Sequence, residues 1–180
     1  MHPSDVGSGT ETKADRLLRA VQDELGMVPN MMRAMAASPE VLEAYLNLDA
    51  ALSRGVLPPC LREQIALAVA EFNGCEYCLA VHTAVGRMNG LSDEAIRDGR
   101  RGESPDSRRD AALRFVRTVV ERRGRVDDKD VARLRRAGYD DAAIAEIVAN
   151  VGANVFANYF NLIAGPELDF PRPDELSRGR

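Results

Sequence analysis

Apolar residues recur along this chain with helical spacing almost from end to end. Leu17, Leu18, Val21 and Leu25 share one face of a helix predicted over residues 13–25, which Gly26 ends. Val28-Pro29-Asn30 is a turn, and a short helix bearing Met31, Met32 and Met35 follows. Ser38-Pro39 pairs an N-cap with a first helical proline. The helix it opens carries Val41, Leu42, Tyr45, Leu46, Leu48 and Leu52 and stops near Gly55. A helix over residues 60–72 presents Leu61, Ile65, Leu67, Ala68 and Val69; Asn73-Gly74 breaks it, and another restarts at Cys75 and ends at Asn89-Gly90. Ser92 caps a short segment with Ala95 and Ile96, and residues 99–105 read as a loop. Helices are predicted over 107–122, 127–136 and 140–164. No alternating strand pattern joined by hairpin turns appears. The expectation is an all-α bundle: one helical domain over residues 13–164, a disordered segment over 1–12, and an extended, proline-containing tail over 165–180.

Composition narrows the setting. A chain of 180 residues buries enough surface for one core without staples. With no Trp and only 5% aromatic residues, that core must rest on Leu, Val, Ile, Ala and Met. The apolar stretches are interrupted before the roughly 18 residues a membrane helix needs, and no basic-then-apolar leader pattern opens the chain. Three cysteines, an odd number, do not make an extracellular disulfide framework. The expected location is therefore cytoplasmic, with no membrane partner. Net charge is −4, yet residues 97–136 hold 14 Lys and Arg against 8 Asp and Glu. This segment reads as a solvated, salt-bridged surface, or as a face that steers an acidic partner or anionic substrate. It has no interleaved aromatic platforms for bases, so no nucleic-acid partner is expected.

Reactive side chains converge in one place, Gly74-Cys75-Glu76-Tyr77-Cys78-Leu79-Ala80-Val81-His82. Residues three and four apart share a helix face, so both thiols and the imidazole are neighbours. A vicinal dithiol beside an imidazole suits thiol–disulfide or peroxide chemistry. The free amides and positive dipole end of a helix starting at Cys75 favour a thiolate there, and His82 is placed to hydrogen-bond Cys78 or take its proton. A sulfenic acid on one sulfur would condense with the other thiol. Such chemistry needs accessible sulfurs. Because helical i,i+3 Cβ atoms lie roughly 5–6 Å apart, wider than the roughly 3.8 Å of a disulfide, closing the bond is expected to distort the helix start. Cys60, Cys75, Cys78 and His82 also make a Cys₃His ligand count for zinc, but the helix between Cys60 and Cys75 sets those two apart. Neither a metal nor another cofactor is called for. Asn150, Asn154, Asn158 and Asn161 form a polar row on an otherwise apolar helix, read as a solvent-facing stripe, a subunit contact or a pocket lining. The apolar residues flanking that row exceed one helix face, which points to burial in an oligomer.

The run Arg62-Glu63-Gln64-Ile65-Ala66-Leu67-Ala68-Val69-Ala70, followed by Cys75-Glu76-Tyr77-Cys78-Leu79-Ala80-Val81-His82-Thr83, resembles the core motif of the AhpD-like alkylhydroperoxidases of the carboxymuconolactone decarboxylase superfamily. Val28-Pro29-Asn30-Met31-Met32 with Ser38-Pro39, and Asn158-Tyr159-Phe160-Asn161 with Asp169-Phe170-Pro171, are similar to its peroxidase-related members. The resemblance implies an all-helical, homo-oligomeric thiol peroxidase. In it Cys78 is the peroxidatic thiol, Cys75 the resolving thiol, and His82 with Glu63 a water-joined proton relay. Its substrate is a small hydroperoxide and its electron donor a dithiol such as a lipoyl-bearing protein. The well-studied members carry histidine where this chain has Tyr77; a phenol with pKa about 10 does not shuttle protons near neutrality as imidazole does. The resulting expectation is a peroxidase cycling between dithiol and disulfide. The competing readings are a redox-sensing or scaffold protein without turnover, and a decarboxylase-type enzyme of the same superfamily.

Overall fold

The structure, a computed structural model, describes residues 11–176. Among them it contains nine helices and no strand: α1 (Lys13–Leu25), α2 (Asn30–Met35), α3 (Pro39–Ser53), α4 (Pro59–Asn73), α5 (Glu76–Met88), α6 (Asp93–Arg101), α7 (Ser107–Glu121), α8 (Asp128–Arg136) and α9 (Asp141–Ala164). The all-helical expectation holds. Most of the disordered segment expected at the start, residues 1–10, lies outside the described residues. Thr12, at its end, caps α1 by exchanging hydrogen bonds with Asp15.

Helix α4 is the axis of the molecule. It packs against α5, α6, α7 and α9, and residues on every side of it are buried, from Leu61 through Ala70 apart from Arg62. Alanines at 66, 68 and 70 keep its girth small enough for neighbours to close in. Two apolar clusters form around it. One joins α4 to α7, α8 and α9 through Ile65, Leu113, Val116, Leu134 and Ile147. The other gathers Met31, Met35, Leu42, Leu67, Leu79 and Ile96 around Cys75 and Cys78.

One boundary differs from expectation. Residues 99–101, read as loop, complete α6, and Gly102 ends it instead. Gly99 is there for space: a Cβ on it would come within 3.1 Å of Gln64 Cγ and 3.3 Å of Gln64 Cα, so its hydrogen lets α6 lie close on α4. The arginine-rich segment is largely paired within itself, for example Arg114 with Asp110 and Arg117 with Glu121; such exposed pairs add little stability. Arg100 is the exception. It is buried, and its Nε and Nη1 donate at 2.7 Å to Glu71 and to the Asp174 carbonyl.

After Gly165 the described chain has no regular secondary structure, but it is tied down. Asp169 accepts from the Asn30 amide, and Arg172 pairs with Glu76. Leu168 packs on the cysteine-containing cluster. Residues 177–180 lie outside the described residues. Helix α9, at 24 residues, is long and apolar enough to cross a membrane by length and composition. In this fold one face of it packs along α4, and Val148, Phe156, Tyr159, Leu162 and Ile163 on it are exposed.

Candidate active site

Gly74 turns the chain out of α4 with φ 68°, and the Cys75 amide closes the turn by donating to Ala70 O at 2.9 Å. Cys75 is then extended (φ −83°, ψ 92°) and is the N-cap of α5; its sulfur receives the Cys78 amide at 3.3 Å. The two sulfurs are joined as a disulfide with Cα atoms 5.3 Å apart, inside the ordinary range. The expected distortion of the helix start is absent. Leu79 N still donates to Cys75 O at 2.9 Å, because Cys75 sits outside the helix and i,i+3 helical geometry does not apply to it.

Glu63 and His82 are brought together. Carboxylate Oε2 lies 2.9 Å from His82 Nδ1 across the α4–α5 pair. The contact is direct, where the resemblance implies an intervening water. A cavity of about 40 Å³ borders it, lined among others by Asp49, Arg62, Asn150 and Asn154, with room for a few waters. The imidazole makes no hydrogen bond to either sulfur among the described contacts. The side chain that does reach Cys78 is Asn161, whose Nδ2 donates to Sγ at 3.3 Å. The asparagine row is thus not a solvent-facing stripe: Asn150, Asn158 and Asn161 are buried. Asn158 accepts from Asn73 Nδ2 at 2.9 Å, which ties α9 to the break before Cys75.

Tyr77 points away from sulfur chemistry. Its hydroxyl donates to Asp169 and accepts from the Met31 amide at 3.1 Å. Burial first, and then the bond to Asp169, push this hydroxyl well above the ordinary tyrosine range, so it stays a donor. The segment after Gly165 and helix α2 are thereby latched to the residue beside Cys78. In consequence the sulfurs are closed in, Cys75 at 1% and Cys78 at 3% exposure, which corrects the expectation of an accessible pair. The sequence signals for this latch were Asp169 near a proline-rich end and the Asn30 turn, neither of which periodicity connects to Tyr77.

Cys60 begins α4, and its Sγ donates to Asn89 O at 3.2 Å. The Cys₃His grouping is not assembled, and no group of three or more metal-ligating side chains is found among the described residues. A disulfide, an imidazole–carboxylate pair and a buried amide together can store and release two electrons and move a proton.

Comparison with known proteins agrees with the all-helical fold. Residues 39–121 match the carboxymuconolactone decarboxylase family. The chain is similar to a peroxidase-related protein from Silicibacter sp. TM1040 (25% identity, TM-score 0.76, covering 93% of this chain and 94% of that one). It is also similar to an alkylhydroperoxidase AhpD core, peroxidase-related protein from Ralstonia eutropha JMP134 (25% identity, TM-score 0.78, covering 87% and 85%). The debrominase Bmp8, solved in complex with 2,3,4-tribromopyrrole, shares the fold at 20% identity (TM-score 0.74, covering 94% and 89%). None of the curated proteins matches the sequence. Over residues 39–121 the chain thus matches the carboxymuconolactone decarboxylase family, and over most of its length it is similar to AhpD-like, peroxidase-related structures.

Proposed function

We propose that this protein is a thiol-dependent peroxidase that reduces small hydroperoxides with the Cys75–Cys78 pair. The observation that carries the reading is the Glu63–His82 contact one helical turn from a disulfide-competent dithiol. With Glu63 holding the Nδ1 proton, Nε2 of His82 carries the lone pair. It takes the proton of the Cys78 thiol, directly or through a water. The thiolate attacks one peroxide oxygen; the S–O bond forms, the O–O bond breaks, and the departing alkoxide takes the proton back to leave as alcohol. Cys75 then attacks the Cys78 sulfenic acid, the disulfide forms and water leaves. An external dithiol donor, such as a lipoyl-bearing protein, returns two electrons and two protons. Tyr77 takes no part in the relay, so its replacement of the family histidine leaves proton transfer to Glu63 and His82.

The assembly belongs to the same proposal. Val148, Phe156, Tyr159, Leu162 and Ile163 on α9 are exposed, together an apolar face larger than a lone surface helix carries. A second copy of this chain covers it in the homo-oligomer we infer. A cytoplasmic setting suits a cycle that needs a reduced dithiol donor.

Burial of both sulfurs favours a second reading, a redox sensor that is oxidised once and does not turn over. Steady-state peroxide consumption tested against dihydrolipoamide, thioredoxin and glutathione systems separates the two. Sustained turnover with at least one donor, lost in Cys78→Ser, supports the peroxidase. A single stoichiometric oxidation with every donor overturns it. A decarboxylase-type activity retained by a Cys75→Ser/Cys78→Ser double variant would also overturn it.

A further inference from the structure

We propose that Asn161 is a fifth member of the reaction centre, whose side-chain amide favours ionisation of Cys78 and so makes it, rather than Cys75, the attacking thiol. The inference deepens the thiol-peroxidase reading and rests on it.

Asn161 lies on α9 and is 4% exposed. Its Nδ2 sits 3.3 Å from Cys78 Sγ and 3.1 Å from Met31 Sδ, while its Oδ1 is buried without a partner. An asparagine amide has two near-isosteric orientations, but chemistry selects one here. A thioether has lone pairs and no proton, so Met31 can only accept. The same is true of Cys78 as a disulfide or a thiolate. Turning the amide would aim Oδ1 at two sulfurs that cannot donate and would strand both N–H groups where Oδ1 now stands alone. Met31 thus holds an N–H toward Cys78 in the thiolate and disulfide states alike.

The consequence is electrostatic. Burial in an apolar cluster disfavours a thiolate, and it acts equally on Cys75 and Cys78, both of which are nearly inaccessible. Their polar partners differ. Cys75 Sγ receives a backbone amide at the start of α5, which, with the helix dipole, favours ionisation of the N-cap sulfur. Left to that alone, Cys75 would be the more acidic thiol. Cys78 receives the Asn161 N–H instead, and a hydrogen bond to a charged acceptor is stronger than one to a neutral acceptor. That bond, with His82 on the next turn of α5 and Glu63 behind it on α4, tips the balance to Cys78.

The test reads thiolate formation directly and uses no peroxide. Ultraviolet thiolate absorbance is titrated against pH for Cys78 in a Cys60→Ser/Cys75→Ser background and for Cys75 in a Cys60→Ser/Cys78→Ser background. Replacing Asn161→Leu should raise the Cys78 midpoint by about one pH unit or more, with helicity unchanged by circular dichroism, and leave the Cys75 midpoint in place. Where Asn161→Leu fails to fold, near-isosteric Asn161→Asp serves. It offers no N–H and adds negative charge, so it should raise the Cys78 midpoint at least as far. An unmoved Cys78 midpoint in a folded variant, or an equal rise at both cysteines, overturns the proposal. Wild-type protein that fails to consume peroxide sinks the peroxidase reading alone, since the titration does not depend on it.

Discussion

Glu63 and His82 stand nineteen residues apart in the chain and meet at 2.9 Å. Glu63 is nearly buried, and His82 keeps about a quarter of its side chain exposed. The short turn at Gly74 folds α5 back along α4 so that Glu63, early in α4, meets His82, midway along α5. A carboxylate in that place fixes which imidazole nitrogen holds the proton, and with it the direction in which the ring can accept another.

Removing that control should slow the chemistry without undoing the fold. Glu63→Gln keeps the size of the side chain and loses the charge. We expect peroxide reduction to fall by about 100-fold, in the range general acid–base groups supply, with a similar loss in His82→Asn. Stopped-flow oxidation of the reduced protein measures it, and circular dichroism checks that helicity is retained. A rate within threefold of wild type, roughly 0.6 kcal/mol on the barrier, would remove the relay from the mechanism.

The two cysteines should differ in kind. Cys75→Ser should still be oxidised once by peroxide and leave a sulfenic acid on Cys78 that dimedone traps. Cys78→Ser should consume no peroxide. Mass spectrometry of the labelled peptide decides the matter, and dimedone found on Cys75 in Cys78→Ser would reverse the roles.

The latch between Tyr77 and Asp169 should show itself in stability. Tyr77→Phe loses a bond to Asp169 and one from the Met31 amide, and should cost about 1–3 kcal/mol in denaturant unfolding. Asp169→Asn should cost less when Tyr77 is already gone, so a double-mutant cycle reads the coupling. The pH dependence has a sign. The folded protein holds the Tyr77 proton that the unfolded chain releases near pH 10. Wild type should therefore lose stability as pH rises above about 10, and Tyr77→Phe should lose less over the same range. Equal slopes would mean that the hydroxyl is not held as the structure has it.

The exposed face of α9 should direct assembly. Ile163 is 88% exposed, so a charge there costs an isolated chain little, while Phe156, 42% exposed, also has its ring near those of Tyr45 and Phe160. Ile163→Glu and Phe156→Glu should each shift sedimentation to a smaller species while leaving helicity intact. A wild-type chain that sediments as a monomer at micromolar concentration would rule out the homo-oligomer.

Most of the helices are legible in the sequence because local signals mark their ends. Thr12, Ser92, Asp106 and Asp140 cap by local hydrogen bonds, and the apolar spacing between caps is a property of a few neighbouring residues. The Cys75–Cys78–His82 grouping was legible for the same reason, since one helix turn brings it together. Residues 99–101 were misread because glycine and arginine look like a loop locally. Only the closeness of Gln64 on another helix shows what Gly99 is for.

The site was readable only in part. Glu63 drew notice by its motif, yet its distance from His82 depended on how two helices pack, which periodicity leaves open. Asn161 and Asp169 are 83 and 92 residues from the side chains they bond. No local pattern links residues so far apart.

What the chain determines by itself is therefore short in range: most of the helices, their caps, and a dithiol one turn from an imidazole. The tertiary fold decides whether those sulfurs are open or covered and which amide touches which sulfur. It also sets the carboxylate against the ring. The physical reason is that capping and helix propensity act within a few residues, whereas burial and side-chain pairing depend on which surfaces α4 gathers around it. A buried asparagine has the same sequence signature as an exposed one, and packing alone separates them.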